Sequence, residues 1–360
     1  MNINDMDQFL GSRDLPGVIG LAVNQTEILY EGAFGVGNTS SGQKLEINSP
    51  HAIMSMTKPI TSFATMMLIE SGELSLSTPA YEYLPEYRDV SVLATVDLDK
   101  RSFSTKPLSR PITISDLLTN TAGLGYEFCN EILFAFEEPG DSTTFPLLHQ
   151  PGEQWSYSLA TKLLGEIIEK ISGESLEAAL TRMIFSPLGM NSTSYEIRDD
   201  QVFPHVKAEG SWQPMEHYPY AARGDGGLIS TAHDYAKFLQ CLLKDGAPLI
   251  SNSTFKAMIS NQIGELVVDE QPAANTQLTH PFPLGAGIDK FGFGFQLSMA
   301  DDDLRRPGSY SWCGLFNTYF WGDPVEKVGG IVLMQTLPFY SPECIGTLQG
   351  FEKRLYESVL

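Results

Sequence analysis

Strand patterns occupy both ends of this 360-residue chain, and a block of different texture lies between them. Two short apolar runs joined by a polar turn fall within residues 17–35, and four more fall within residues 292–334. A further strand is predicted over residues 226–230, and residues 351–358 read as a terminal helix. A sheet must bury its apolar face against another layer of structure. We therefore expect the two ends of the chain to build one antiparallel sheet that is flanked by helices.

The intervening block reads as helices and loops. Residues 159–171 form a strongly periodic helix, and few strand patterns occur around it. These features predict an α+β fold with two domains. Residues 1–75 and 222–360 would form the sheet-containing domain, and residues 76–221 would form an inserted, mostly helical domain. A functional site is expected in the cleft between them.

Composition narrows the class of partner. The formal net charge of −21 argues against nucleic acid and against anionic membrane surfaces. No signal-peptide pattern opens the chain and no apolar run approaches the length of a membrane span, so a cytoplasmic location is expected. The four cysteines are far apart and are expected to be free thiols. Neither a metal nor an organic cofactor is indicated, and the oligomeric state stays open.

One segment, residues 51–72, carries a serine and a lysine three positions apart. Residues at this spacing share one face of a helix, so the Lys58 amine can reach the Ser55 hydroxyl. A serine at a helix N-terminus also lies among unpaired N–H groups at the positive end of the helix dipole. Because an unpartnered buried lysine is costly, the pair indicates a nucleophile with a nearby base.

The same spacing occurs a second time, which shows that Ser-x-x-Lys alone is a weak signal. Ser253 and Lys256 come shortly after Pro248. We interpret this copy as an ordinary helix start, with Ser251 or Ser253 as the N-cap and Lys256 in solvent.

Tyr157 is the candidate for a third catalytic group, because it lies in the loop before the periodic helix. Tyrosine has an ordinary pKa of about 10. A neighbouring ammonium group would lower that pKa and make the phenolate available as a proton acceptor. A partly buried loop aromatic is the alternative interpretation of Tyr157 taken alone. A backbone N–H close to Trp312 could pair with that of Ser55 as an oxyanion hole.

These segments together resemble the class C β-lactamase family in its broad sense, which includes serine β-lactamases, DD-peptidases, and esterases or acyltransferases of the same fold. The resemblance covers nearly the whole chain in motif order, through residues 52–59, 117–124, 151–158, 187–190, 226–231 and 312–314. Asn120 replaces a histidine that is usual in the second of these segments. Trp312-Cys313-Gly314 stands where the lactamases carry Lys-Thr-Gly, and it is similar to the family VIII carboxylesterase-like branch of esterases and acyltransferases.

The resemblance implies a role for each matched position. Ser55 would be the nucleophile that becomes acylated. Lys58 would lower the pKa values of Ser55 and Tyr157. Tyr157 would act first as the general base and then as the acid that protonates the leaving group. The N–H groups of Ser55 and Leu315 would form the oxyanion hole.

Two departures from the lactamase pattern bear on the substrate. Leu159 stands where the lactamases have an asparagine that contacts the acyl amide, and Trp312 replaces a lysine that helps to bind the β-lactam carboxylate. Trp312, with Gly314 beside it, is expected to give the binding site an apolar wall. Tyr126 is a further candidate for the pocket lining, although a core aromatic explains it equally well. The loss of polar recognition favours an ester with an apolar acyl or alcohol part.

We therefore expect a serine carboxylesterase that acts on a small-molecule ester. An acyltransferase would share every residue named so far. An amidase, a D-peptidase or a weak β-lactamase is disfavoured by Leu159 and Trp312. A non-catalytic binding protein of this fold would normally have lost Ser55, Lys58 or Tyr157. A Ser-His-Asp hydrolase is disfavoured because no Gly-x-Ser-x-Gly occurs.

Overall fold

The computed structural model describes residues 3–138, 140, 143–216, 222–300 and 304–359. In chain order the strands are β1 (Gly17–Asn24), β2 (Ile28–Asn38), β3 (Gln43–Lys44), β4 (His51–Ala52), β5 (Ser91–Asp97), β6 (Ser102–Pro107), β7 (His205–Ala208), β8 (Ser211–Pro214), β9 (Ile229–Ser230), β10 (Lys290–Phe291), β11 (Gln296–Leu297), β12 (Tyr310–Gly314), β13 (Thr318–Asp323), β14 (Val328–Leu333) and β15 (Thr336–Leu337).

The helices are α1 (Ile3–Gly11), α2 (Thr57–Glu70), α3 (Ile114–Leu118), α4 (Glu131–Phe136), α5 (Ala160–Ser172), α6 (Leu176–Leu180), α7 (Ser186–Leu188), α8 (Ala232–Leu243), α9 (Asn252–Met258) and α10 (Pro342–Val359). Within the described residues, none of these helices has both the length and the apolar character that crossing a membrane requires.

The main sheet has eight strands in the order β10-β11-β12-β13-β14-β1-β2-β3, and neighbouring strands run antiparallel. The two ends of the chain meet where β1 pairs with β14, with Ile19 opposite Leu333. This arrangement confirms the predicted α+β fold with one antiparallel sheet built from both ends of the chain. β1, β13 and β14 are buried along almost their whole length, because helices cover both faces of the sheet.

Side chains alternate between the two faces of β13. Phe320 packs against Tyr235 of α8, with ring centroids 5.1 Å apart. Trp321 points to the opposite face and packs edge-on against Phe351 of α10. Tyr235 also donates to the carbonyl of Met56 at 3.0 Å, so the turn before α2 lies on the same face of the sheet as α8, and that face carries the site described below.

α2 is a central helix whose first ten residues are all buried. It follows a single 3₁₀ turn, Met54–Met56, and Pro59 lies in its first turn, where proline is tolerated. Thr61 donates to the carbonyl of Gly224 at 2.7 Å, which joins the helix to the segment before β9. The helix therefore presents its N-terminus to the junction between the sheet and the intervening block.

The intervening block differs from the prediction because it contains two hairpins that the sequence did not reveal. β5 pairs with β6, and β7 pairs with β8. Every residue of β6 is exposed, so no alternation of apolar and polar residues marks it. β7 also pairs in parallel with β15, which ties the block to the C-terminal segment.

Two element boundaries also differ from the prediction. The last helix begins at Pro342, well before the predicted start at Phe351, because Gly346 and Gly350 obscure the helical pattern of its first half. The strand predicted over residues 226–230 is limited to β9, which pairs with β4.

Candidate active site

The structure brings Ser55, Lys58 and Tyr157 together at the N-terminus of α2. Lys58 Nζ lies 3.1 Å from Ser55 Oγ, and the Tyr157 hydroxyl lies 2.6 Å from the same oxygen. Lys58 and Tyr157 are both buried. The three candidate catalytic residues therefore form one hydrogen-bonded group around the serine hydroxyl.

The turn that carries Ser55 is held by a close approach of the end of β12 and the start of β13. Thr318 Oγ1 donates to the carbonyl of Ile53 at 3.2 Å. A Cβ atom at Gly314 would lie 2.2 Å from that carbonyl oxygen and 2.4 Å from Thr318 Oγ1. Only glycine fits this contact, so the structure gives Gly314 a packing role that brings the strand against the nucleophile turn. Met54, just before the serine, has a left-handed φ of 49°.

The loop that carries Tyr157 is fastened to the end of α3 by Asn120. The Asn120 carbonyl accepts from Ser156 N at 2.9 Å, and its side-chain oxygen accepts from Ser158 Oγ at 3.0 Å. Asn120 has a φ of 57°, a left-handed conformation that asparagine tolerates better than most residues. This conformation explains why an asparagine is suited to a position where the resembled family usually has a histidine.

Lys58 has three acceptors around its amine. They are Ser55 Oγ at 3.1 Å, the Tyr126 hydroxyl at 2.7 Å and the carbonyl oxygen of Asp225 at 2.8 Å. Burial lowers the pKa of Lys58 to about 8, although the charge of Asp225 acts in the opposite direction. A substantial fraction of Lys58 is therefore neutral near physiological pH and can accept a proton.

The pKa of Tyr157 differs from the sequence-based expectation. Burial raises the pKa of Tyr157 well above its ordinary value, whereas an ammonium neighbour was expected to lower it. The Tyr157 ring lies among Tyr126, Trp312 and Phe282, with centroids between 5.0 and 5.5 Å away. In this apolar surrounding the phenolate is disfavoured, so Tyr157 is protonated in the resting site.

The structure adds Asp225 and Arg223 to the site, two residues that were not predicted from the sequence. The Tyr126 hydroxyl donates to Asp225 Oδ2 at 2.5 Å, and Arg223 binds both carboxylate oxygens of Asp225, through Nε at 2.8 Å and Nη2 at 2.9 Å. Burial alone would raise the pKa of Asp225, but Lys58 and Arg223 hold it below its ordinary value. In the sequence, the feature that could have indicated these residues is their position as charged side chains directly before the apolar run Gly226–Ser230.

Aromatic and aliphatic side chains surround the exposed side of Ser55. A small pocket is lined by Ser55, Phe128, Tyr157, Phe282, Trp312, Cys313, Leu315 and Phe339. Trp312 packs against Tyr157 and Phe291 and is almost fully buried. The space next to the nucleophile is therefore narrow and mostly apolar.

The other candidate binding residues occupy different surroundings. Leu159 lies at the N-cap position of α5 and is buried in the main hydrophobic core. Tyr126 is buried between Lys58 and Asp225, and its hydroxyl is engaged by both. Leu315 follows the end of β12 and borders the same pocket as Ser55.

The second Ser-x-x-Lys copy forms no comparable group. Ser251 is the N-cap of α9 and accepts from Thr254 N at 3.3 Å. This agrees with the prediction that either Ser251 or Ser253 caps the helix. Lys256 is exposed.

The four cysteines are all buried and free. Among the described residues, no group of three or more histidine, cysteine, aspartate or glutamate side chains is arranged to hold a metal ion.

Comparisons with known proteins agree with this geometry. The family model described as Beta-lactamase matches residues 3–350. The chain is 29% identical to the esterase EstB of Burkholderia gladioli, over 92% of this chain and 88% of the relative. It is 27% identical to the acyltransferase calJ of Penicillium decumbens, over 84% of this chain and 79% of the relative.

A solved structure has the same fold over almost the full length of both chains. Unliganded simvastatin synthase (LovD) from Aspergillus terreus superimposes with a TM-score of 0.85 at 23% sequence identity, covering 99% of this chain and 97% of that one. Curated relatives that are esterases and acyltransferases support a serine hydrolase or acyl-transfer enzyme. With a family match that spans nearly every residue, this chain belongs to the beta-lactamase family.

Proposed function

We propose that the protein is a serine carboxylesterase that cleaves esters with an apolar acyl or alcohol part through an acyl-enzyme on Ser55. The observation that carries the proposal is the pair of short contacts to one hydroxyl. Ser55 Oγ lies within hydrogen-bond distance of both Lys58 Nζ and the Tyr157 hydroxyl. A hydroxyl between a base and an acid, at a helix N-terminus, is equipped for nucleophilic attack.

In the acylation step, neutral Lys58 takes the Ser55 proton while Oγ attacks the ester carbonyl carbon. The carbonyl electron pair moves onto oxygen, and a tetrahedral intermediate forms. Its collapse breaks the bond to the alcohol, and the Tyr157 hydroxyl gives its proton to the leaving oxygen. The products of this step are the free alcohol, the acylated Ser55, a Lys58 ammonium and a Tyr157 phenolate.

Deacylation reverses these proton transfers. A water molecule attacks the acyl carbon and passes its proton to the Tyr157 phenolate. The second tetrahedral intermediate then releases the carboxylic acid, and Ser55 Oγ recovers its proton from Lys58. The ammonium of Lys58, 4.9 Å from the centre of the Tyr157 ring, stabilises the phenolate between the two steps.

The oxyanion would be bound by the backbone N–H groups of Ser55 and Leu315. Both residues border the pocket, and Gly314 allows the strand end to lie against the serine turn. Preorganised backbone donors of this kind are commonly the largest single contribution to acyl-transfer catalysis.

The apolar pocket favours esters over charged β-lactams or peptides. Phe128, Phe282, Phe339 and Trp312 offer dispersion contacts, and burying an acyl methylene among such groups contributes about 0.8 kcal/mol. Transfer of the acyl group to an alcohol is a second candidate, because an apolar pocket also suits an alcohol acceptor. The named esterase and acyltransferase relatives support both reactions.

The test is hydrolysis of p-nitrophenyl butyrate by the purified protein and by two serine variants. We expect Ser55→Ala to reduce turnover to the background rate. Ser253→Ala, in the second Ser-x-x-Lys copy, should retain full activity, because Ser253 and Lys256 are both solvent-exposed and do not border the pocket. Full activity in Ser55→Ala, or no turnover in the unmodified protein, would refute the esterase proposal. Adding a short alcohol and measuring the new ester would separate acyl transfer from hydrolysis.

A further inference from the structure

An ion pair with a buried carboxylate lies next to the Lys58 amine, and the proposed proton transfers do not use it. Asp225 is 4% exposed at its side chain and accepts two hydrogen bonds from Arg223. The same carboxylate accepts from the Tyr126 hydroxyl, which in turn accepts from Lys58. The chain of contacts thus runs from Ser55 through Lys58 and Tyr126 to the Asp225–Arg223 pair.

The directions of these hydrogen bonds follow from the inventory of donors. A carboxylate can only accept, and Tyr126 has a single hydroxyl hydrogen, so that hydrogen points to Asp225. Tyr126 therefore offers Lys58 only a lone pair. The carbonyl oxygen of Asp225 is also an acceptor only.

A neutral amine has two hydrogens and one lone pair. In Lys58 the two hydrogens are directed to the Tyr126 hydroxyl and to the Asp225 carbonyl, which leaves the lone pair aimed at Ser55 Oγ. If Tyr126 were free to turn its hydrogen toward Lys58, it would compete with Ser55 for that lone pair. After Lys58 takes the proton, the same three contacts satisfy the ammonium, so no partner has to change place.

We propose that Asp225 and Arg223 are positioning residues that fix the Tyr126 hydroxyl and thereby aim the Lys58 lone pair at Ser55. The proposal rests on the proposed function, because it assigns the orientation of the base in that same reaction. It follows the general pattern in which a nucleophile's base is oriented by a third group.

The two partners of the ion pair act on Lys58 with opposite signs. The Asp225 charge favours the ammonium form, and the Arg223 charge disfavours it. The titratable and charged groups that face Lys58 are Asp225 and Arg223 before β9, Tyr126 and Cys129 before α4, Tyr157 before α5 and Cys313 on β12. Burial raises the pKa values of both thiols and both phenols, so Asp225 and Arg223 are the charged members of this set.

The experiment measures the rate of covalent labelling of Ser55 by a fluorophosphonate ester across pH 6–10, with the labelled residue identified by mass spectrometry. In this reaction Ser55 Oγ forms a bond to phosphorus, fluoride leaves, and Lys58 accepts the serine proton. The pH at which the rate is half its maximum reports on the protonation of Lys58. No natural substrate is needed for this measurement.

For Asp225→Asn we expect the labelling rate to fall by about 10- to 100-fold, because the base is no longer aimed. We also expect the half-maximum to move to lower pH by about one unit, since a negative charge beside Lys58 is lost. For Arg223→Gln the half-maximum should move to higher pH. Opposite shifts from the two partners of one ion pair are not produced by a loss of folded protein.

Asp116→Asn is the matched control. Asp116 is also buried, and Arg110 binds both of its carboxylate oxygens, at 2.6 and 2.8 Å. Its removal breaks an equivalent ion pair away from Lys58, so the half-maximum should stay in place.

The outcomes separate the two proposals. If Ser55 is labelled but neither Asp225→Asn nor Arg223→Gln moves the half-maximum relative to Asp116→Asn, the positioning role is wrong and the esterase proposal stands. Shifts in the same direction would also overturn it. If Ser55 is not labelled in the unmodified protein, both proposals fail. Should Asp225→Asn not fold, as judged by circular dichroism, the upward shift in Arg223→Gln decides the question alone.

Discussion

The side-chain oxygen of Asn120 accepts a hydrogen bond from Ser158 Oγ at 3.0 Å and so links the end of α3 to the loop that presents Tyr157. The Asn120 backbone is left-handed, and its carbonyl binds the same loop through Ser156 N. One residue thus supplies both an unusual conformation and two attachments to a catalytic loop.

Asn120→Ala should lower both stability and activity. Alanine loses the side-chain hydrogen bond and is strained at positive φ, so we expect the free energy of unfolding to fall by about 1–3 kcal/mol. kcat/KM for p-nitrophenyl butyrate should fall as well, because Tyr157 is less firmly placed. Urea denaturation and ester hydrolysis measure the two effects. Asn120→Gly keeps the backbone conformation and should lose less stability; equal losses in the two variants would show that the strain is unimportant.

Gly314→Ala should damage the nucleophile turn. An added Cβ would lie 2.2 Å from the carbonyl oxygen of Ile53, so β12 and the turn must separate. We expect a loss of about 1–3 kcal/mol in the free energy of unfolding, typical of overpacking, together with a large loss of kcat.

Gly346→Ala is the control for that substitution. Gly346 lies within α10, and a Cβ there would meet no atom within 4 Å. Replacing a helical glycine by alanine should raise the free energy of unfolding by about 0.5–1 kcal/mol and leave activity unchanged. Unchanged activity in Gly314→Ala would contradict the assigned close contact.

The rate of ester hydrolysis should rise with pH through a midpoint near 8. The pKa of Lys58 is lowered to about 8, and only the neutral amine can take the Ser55 proton. Below that pH Lys58 is an ammonium and kcat/KM should fall; above it kcat/KM should level off, because Tyr157 stays protonated. Rates are measured between pH 6 and 10 with Ser55→Ala as the background. A rate that decreases across this interval would argue for a different base.

Phe128→Ala should broaden the range of acyl chains. Phe128 packs beside Tyr126 and Tyr157 at the border of the pocket, so its removal opens space next to Ser55. We expect the ratio of kcat/KM for p-nitrophenyl octanoate to that for the acetate to rise by about tenfold or more. Phe134→Ala removes a phenylalanine that is 46% exposed on α4, and it should leave the ratio unchanged. An unchanged ratio in Phe128→Ala would place the acyl chain elsewhere.

Much of the fold was predictable because its strongest patterns are local. The hairpin of β1 and β2 and the strands β12 to β14 combine short apolar runs with turn residues, and α5 has a clear helical period. The β5–β6 hairpin was not predictable, since its exposed strand carries serine, threonine and lysine without alternation. The early start of α10 was hidden by its glycines.

The candidate site was predictable only in part. Ser55, Lys58 and Tyr157 lie in recognisable segments, and the structure brings their polar atoms together. The partners of Lys58 depend on a tertiary contact between residues 126 and 225, which no sequence spacing records. Leu159 was selected from a motif position, yet it lies in the core at the start of α5. The direction of the pKa shift of Tyr157 could not be predicted from a neighbouring charge, because burial is the largest cause of that shift.

The contact between Thr318 and the carbonyl of Ile53 joins residues that are 265 positions apart. During synthesis the ribosome releases Ser55, Lys58 and Tyr157 long before β12 and β13 exist. For most of translation, a nascent chain therefore contains Ser55 but lacks the strands that pack against the turn carrying it. We expect Ser55 in such chains to be unreactive toward esters. Reactivity at Ser55 should begin only when β12 and β13 have joined the sheet that contains β1.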